Sequence, residues 1–191
     1  DKVKDCYKII SQNFGGVDIL VSNAGFAIQE ALETLSKKQL DSSFDLNFFA
    51  HHYFVKHGTA IMKNQNIKGS VIFNISKQAI NPGPNFGAYG LPKAALMFLM
   101  KQYVVESSKF GIRFNGVNAD RIRSGLLSPE MIAKRAKSRG LSIEAYMAGN
   151  LLKEEVKASD VADAFYHLAI SYKTTASVIT VDGGNIESSL R

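Results

Sequence analysis

Residues 70–76 read SVIFNIS, a short apolar run that ends in a serine. It lacks the polar alternation of a half-exposed strand, so it is expected to be buried on both faces of a parallel sheet. Working outward, three more runs read as strands: VDILVSN (17–23), IRFNGVNA (112–119) and SVITVDGG (177–184). VDILVSN and SVITVDGG are nearly continuously apolar and are likewise expected to be buried on both faces, whereas IRFNGVNA is interrupted by Arg113 and Asn115, which predicts a weaker strand nearer an edge or a site. Between the runs lie helical patterns. Leu40, Phe44, Phe48, Tyr53 and Ile61 mark one over about 40–64, and Leu91, Ala95, Phe98, Leu99 and Tyr103 mark another over 88–109. A third covers 159–171, with Ser159 as its N-cap. Strands alternating with crossover helices predict an α/β fold built on a parallel sheet. With no repeat, linker or low-complexity tract, residues 1–191 read as a single domain.

Composition excludes several classes. The chain has 191 residues, 46% apolar and 21% charged, as in a globular protein with a sizeable core. No run approaches 18 uncharged apolar residues, and the amino end DKVKDCYKII has no apolar signal core, so no membrane role is expected. A single cysteine, Cys6, rules out an internal disulfide framework and fits a cytoplasmic location. The net charge of +6 is densest in RIRSGLLSPEMIAKRAKSR (121–139). No nucleic-acid-binding motif accompanies that patch, so it reads as a solvated helix face or a lure for a small anion, and no nucleic-acid partner is expected. His51, His52 and His57 lack the spacing that stacks ligands on one helix face, and no metal site is expected.

The chemistry concentrates in NFGAYGLPKAALMFL (85–99). Tyr89 and Lys93 are four residues apart, one helical turn, so their side chains share a face. Pro92 between them is tolerated best in a first helical turn, which predicts that the helix starts near residues 86–88. Tyr89 then lies at the helix amino end, beside the crevice at the carboxyl ends of the strands. A free tyrosine has a pKa of about 10, and a nearby ammonium lowers it toward the range useful for proton transfer. Ser76 ends the strand 70–76 and faces the same crevice, where it could bind a substrate oxygen or merely cap a loop. Asn47 sits in FDLNFFAHH among bulky apolar residues, where a buried amide must find partners. Asn23, Ala24 and Gly25 follow the first strand, and VDGG closes the last; each alone is an ordinary turn.

Taken in order, DILVSNAG, Asn47, Ser76, Tyr89-x-x-x-Lys93 and VDGG resemble the short-chain dehydrogenase/reductase family over essentially the whole chain. VIFNISKQAINPGPNFGAYGLPKAA and GVNADRIRSGLL are similar to the dehydrogenase portion of bifunctional class II aldolase/short-chain dehydrogenases, which are associated with rhamnose breakdown. The resemblance implies a Rossmann-like doubly wound parallel sheet. It also implies hydride transfer between NAD or NADP, NAD favoured, and a small hydroxy or carbonyl compound such as lactaldehyde or a sugar derivative. Tyr89 would be the acid/base, Lys93 would lower its pKa and bind the nicotinamide ribose, and Ser76 would orient the substrate oxygen. Asn47 would hold a relaying water. Asn23, Ala24, Gly25, Ile122 and Ser124 would join Tyr89 and Lys93 in contacting the cofactor. The family's paired long helices imply a homodimer or tetramer.

Two features depart from the pattern. No glycine-rich phosphate turn occurs, which marks the chain as a carboxyl-terminal portion lacking its first βαβ unit and expected to bind the dinucleotide weakly alone. Ala119-Asp120 stands where the family has Pro-Gly. Two competing readings are a non-catalytic assembly protein on a truncated fold and an epimerase or dehydratase on the same scaffold.

Overall fold

The computed structural model describes residues 2–185. Four parallel strands, β1 (Ile19–Ser22), β2 (Ser70–Asn74), β3 (Arg113–Ala119) and β4 (Val178–Val181), pair in chain order. Seven helices surround them among the described residues: α1 (Lys2–Phe14), α2 (Lys37–Phe44), α3 (Ala50–Gln65), α4 (Gly87–Ser107), α5 (Pro129–Lys137), α6 (Ile143–Met147) and α7 (Ala158–Ile170). None is long and apolar enough to cross a membrane. The alternation of side chains along β2 divides the core. Val71 and Phe73 point to one face, with Val55 and Met62 of α3 and Leu96 and Met100 of α4, while Ile72 points to the other, with Ala164 and Leu168 of α7. This is the three-layer arrangement expected of strands joined by crossover helices. Leu127, Ile132, Ala136, Tyr146 and Met147 form a separate small cluster under α5 and α6.

Three expectations need correction. β3 is interior, bonded to β2 on one side and β4 on the other. Its polar residues serve the neighbouring chain: Asn115 donates to the Thr174 carbonyl and accepts from the Ser177 N–H. The Arg113 guanidinium donates to the carbonyls of Leu168, Ala169 and Ser171 at 2.7–2.8 Å. Those oxygens lie at the end of α7, where helical carbonyls lose their intrahelical partners. Continuous burial holds for β2 and β3 but not for β1, where Ile19 and Val21 are about half exposed, nor for β4, whose residues are all partly exposed. Finally, α7 is capped at Lys157, not Ser159, with the Asp160 carboxylate accepting the Lys157 N–H at 2.8 Å.

The helical pattern over 40–64 is one continuous rod with a defect. Between α2 and α3, residues Asp45–Phe49 form a π turn, and Asn47 lies inside it, wholly buried. Single π turns within α-helices are common at functional sites.

Candidate active site

The carboxyl ends of β1, β2 and β3 open onto a cleft of about 1580 Å³. Asn23, Ala24 and Gly25 line it after β1, Ser76 after β2, and Ile122 and Ser124 after β3. Tyr89 enters from the start of α4, and α5 and α6 supply the far wall. Crevices of this kind, at the carboxyl ends of parallel strands, are where open α/β sheets bind ligands.

Helix α4 begins at Gly87 with Phe86 as N-cap, within the expected residues 86–88 but not for the reason expected. Pro92 itself lies deeper than a first turn, at the sixth helical residue, and is buried. A proline there leaves the carbonyl four residues back without its donor. That carbonyl belongs to Ala88, and the Ser43 hydroxyl of α2 donates to it at 2.6 Å. Ser43 in turn accepts from Asn47 Nδ2 at 2.9 Å. The Asn47 amide also donates to the Phe26 carbonyl at 2.9 Å and accepts the Phe26 N–H at 3.2 Å. Asn47 thus fastens the segment after β1 to the proline-bearing turn of α4.

Tyr89 is 8% exposed, at the floor of the cleft. Burial pushes its pKa above the ordinary value and outweighs the smaller downward effect of the nearby Ser76 hydroxyl. Ser76 also accepts the Gln78 N–H at 3.2 Å, capping the short helical turn Lys77–Ala79. Gly90 lets that turn approach, since a Cβ there would lie 2.9 Å from the Gln78 carbonyl oxygen.

Lys93 is 1% exposed, with Nζ 2.8 Å from the Asn74 carbonyl oxygen and 5.8 Å from the centre of the Tyr89 ring. Burial lowers its pKa to about 7. The expectation that a fixed ammonium holds the phenol low is therefore not met. The same dry surroundings that raise the tyrosine discharge the lysine in part.

The nine candidate residues converge unequally. Asn23, Ala24, Gly25, Ser76, Tyr89, Ile122 and Ser124 line the cleft, whereas Asn47 and Lys93 are buried beneath it. Gly25 is the thin point between the two layers: a Cβ added there would lie 3.0 Å from Asn47 Oδ1 and 3.8 Å from Lys93 Nζ.

Several contributors escape a reading of the sequence. Asn74 holds Lys93 through its carbonyl and donates its amide to Asn23 Oδ1 at 2.6 Å. Ser22 Oγ lies 2.6 Å from His51 Nδ1 in a buried contact, and burial with the nearby Lys93 pushes the His51 pKa down to about 4. Ser43 has a sequence signal, since it precedes Asn47 by four residues. At the mouth, Arg121 holds a left-handed backbone with φ 55°, in the stretch where Ala119-Asp120 replaces the expected Pro-Gly. Its guanidinium donates to the Tyr146 and Gly149 carbonyls and lies over the Tyr146 ring. Among the described residues no cluster of three or more histidine, cysteine, aspartate or glutamate side chains could hold a metal ion.

Comparison with known proteins finds relatives over nearly the whole chain. A family described as enoyl-(acyl carrier protein) reductase matches residues 1–185. The uncharacterized oxidoreductase YuxG of Bacillus subtilis (strain 168) is 31% identical over 194 residues, covering 96% of this chain. This chain spans only 28% of YuxG's length. Short-chain dehydrogenase reductase 3a of Arabidopsis thaliana is 30% identical over 188 residues, covering 96% of this chain and 71% of that protein. Among solved structures, carveol dehydrogenase from Mycobacterium avium in complex with NAD superposes with a TM-score of 0.89 at 22% identity, over 97% of this chain and 70% of that one. ElxO with NADP bound gives a TM-score of 0.84 at 24% identity, over 96% of this chain and 73% of that one.

Proposed function

Because this chain belongs to the short-chain dehydrogenase/reductase family of oxidoreductases, we propose that it serves hydride transfer between NAD or NADP and a small hydroxy or carbonyl compound, with Tyr89 exchanging the proton. The observation that carries the reading is the layered arrangement of Tyr89: it faces the cleft that Ser76 also lines, and has Lys93 buried one turn along the same helix.

The residues present fit a nicotinamide nucleotide. Gly25 has no side chain between the cleft and Lys93, and the Lys93 amine has one hydrogen bond among the described residues, to Asn74. Donor directions are therefore left for a ribose. Asn23, Ala24, Gly25, Ile122 and Ser124 would hold the rest of the nicotinamide half. Bound there, the nicotinamide supplies the hydride acceptor for oxidation or the hydride donor for reduction.

The chain's own residues manage the proton and the oxygen. In the reducing direction the Tyr89 phenol, kept protonated by burial, gives its proton to the oxygen of the carbonyl as that oxygen gains charge. In the oxidising direction the substrate hydroxyl returns a proton to Tyr89, which must first ionise. That ionisation is favoured by the nearby Ser76 hydroxyl and by protonation of Lys93. Ser76 orients the substrate oxygen. Asn47 fixes the Phe26 backbone and, through Ser43, the start of α4, so that the two sides of the cleft keep their spacing.

The test is Tyr89→Phe, assayed with NAD(H) and NADP(H) against a panel of small alcohols and carbonyls. General acid–base catalysis supplies about 10²-fold or more, so kcat should fall by at least about 10²-fold while the circular-dichroism spectrum is unchanged. Near-normal turnover in the variant would remove Tyr89 from the mechanism.

The same family reading supports a homo-oligomer built on α3 and α4. Phe98 and Val105 are 69% and 79% exposed on α4, and Phe49 and Tyr53 are about half exposed at the start of α3.

A further inference from the structure

The cleft is charged on one side in a way that hydride transfer does not require. Its lining includes Lys77, Arg121, Lys134, Arg135 and Arg139 against one carboxylate, Asp120. Asp120 is already engaged: it lies 3.6 Å from Lys77 and 3.4 Å from Arg121, and it accepts from Asn185 at 2.8 Å. Lys134, Arg135 and Arg139, at the end of α5 and just beyond it, have no carboxylate partner among the described residues.

The two arginines are also held in place. Arg135 is half-buried, its guanidinium 4.9 Å from the centre of the Phe86 ring, with one nitrogen donating to Gln29 Oε1 at 3.3 Å and Nε buried without a partner. Arg139 donates to the Arg135 carbonyl at 3.1 Å and lies 5.4 Å from the centre of the Tyr146 ring. A solvated helix face needs neither aromatic stacking nor burial of a guanidinium. Stacking restrains these side chains before any ligand arrives, so less freedom is lost on binding, and a planar guanidinium matches carboxylate and phosphate oxygens in pairs. Phe86, which carries Arg135, is the N-cap of α4, and its carbonyl accepts the Tyr89 N–H at 3.1 Å. The cations and the proton-transfer residue therefore belong to one short stretch of the cleft.

We infer that the substrate carries a negative group, a carboxylate or a phosphate monoester, a few bonds from the reacting carbon, and that Arg135 and Arg139 bind it with Lys134 adding charge. The inference rests on the oxidoreductase reading above and names the substrate class of that site.

The experiment uses matched probes with the whole protein: butanal against 4-oxobutanoate, and glyceraldehyde against glyceraldehyde 3-phosphate, each reduced with NADH and NADPH. The charged member of at least one pair should have the higher kcat/KM by about tenfold or more, and the preference should fall as salt rises. Which pair responds separates carboxylate from phosphate. Arg135→Gln and Arg139→Gln should each cut that preference ratio by about tenfold, as expected for a lost hydrogen bond to a charged group. Arg139 is exposed, so its variant remains informative should Arg135→Gln not fold. Equal use of both members, or a preference that survives both substitutions, overturns the inference. So does a rise confined to the KM of the cofactor, which would assign the cations to its phosphates. If no probe is turned over, the hydride-transfer reading fails, and calorimetric titration of succinate and of inorganic phosphate decides the anion site separately. Binding that weakens in Arg139→Gln supports the site, and absent or unchanged binding rejects it.

Discussion

At Lys93 and His51 the site holds two basic groups in surroundings that favour their neutral forms, with pKa values of about 7 and about 4 against ordinary values of 10.5 and 6.5. Between each pair of values that group binds more protons in the unfolded chain than in the folded one, so its contribution to stability rises with pH. His51 acts between about pH 4 and 6.5, and Lys93 between about pH 7 and 10.5. Each group gives at most about 1.4 kcal/mol per pH unit. Lys93→Met should therefore flatten the upper rise in urea-derived stability and leave the lower one, and a Lys93→Met profile parallel to the native one would show that the amine keeps its charge when folded. The pairing of Tyr89 with Lys93 was legible, because four-residue spacing is a property of any helix. The direction in which burial moves each pKa was not. It depends on how dry the site is, and neither Asn74 nor Gly25 announces that in the sequence.

Helix α4 tolerates Pro92 because another element answers for it. The Ser43 hydroxyl fills the bond that Ala88 lost, and Asn47 holds Ser43. Ser43→Ala strands a buried carbonyl and should cost about 1–3 kcal/mol by urea denaturation. In a Pro92→Ala background the restored N–H can serve Ala88 directly, so the serine should matter less. The double-mutant cycle should show a coupling of about 1 kcal/mol, and strictly additive effects would mean that the two residues act independently. Pattern reading located α4 to within a residue or two from its apolar period, although the proline expected in the first turn lies beyond it. It misjudged β3 because Arg113 and Asn115 look like surface residues until the loop after α7 is folded over them. It misplaced the cap of α7 because both Ser159 and Asp160 are capping residues, and the carboxylate reaches back to Lys157.

For the whole molecule, the outward faces of α3 and α4 leave Phe98 and Val105 largely in water, and exposed aromatic residues grouped on adjoining helices mark contact surfaces. A two-fold pairing would bring each protomer's patch against its copy. Light scattering at micromolar concentration should give a mass of two or more chains, and Phe98→Glu should shift it toward the monomer; a native protein that is monomeric throughout would refute the pairing. The layers themselves are tied by a different device. The Arg113 guanidinium reaches from the middle strand pair to three carbonyls at the end of α7, so the last turn of that helix cannot fray without breaking three charge-assisted bonds to the sheet. Helix ends ordinarily exchange their amide hydrogens through small local openings. Here the final turn of α7 is denied that route, and its amides should exchange only when the helix leaves the sheet as a unit, which makes the end of this helix as slow as its centre.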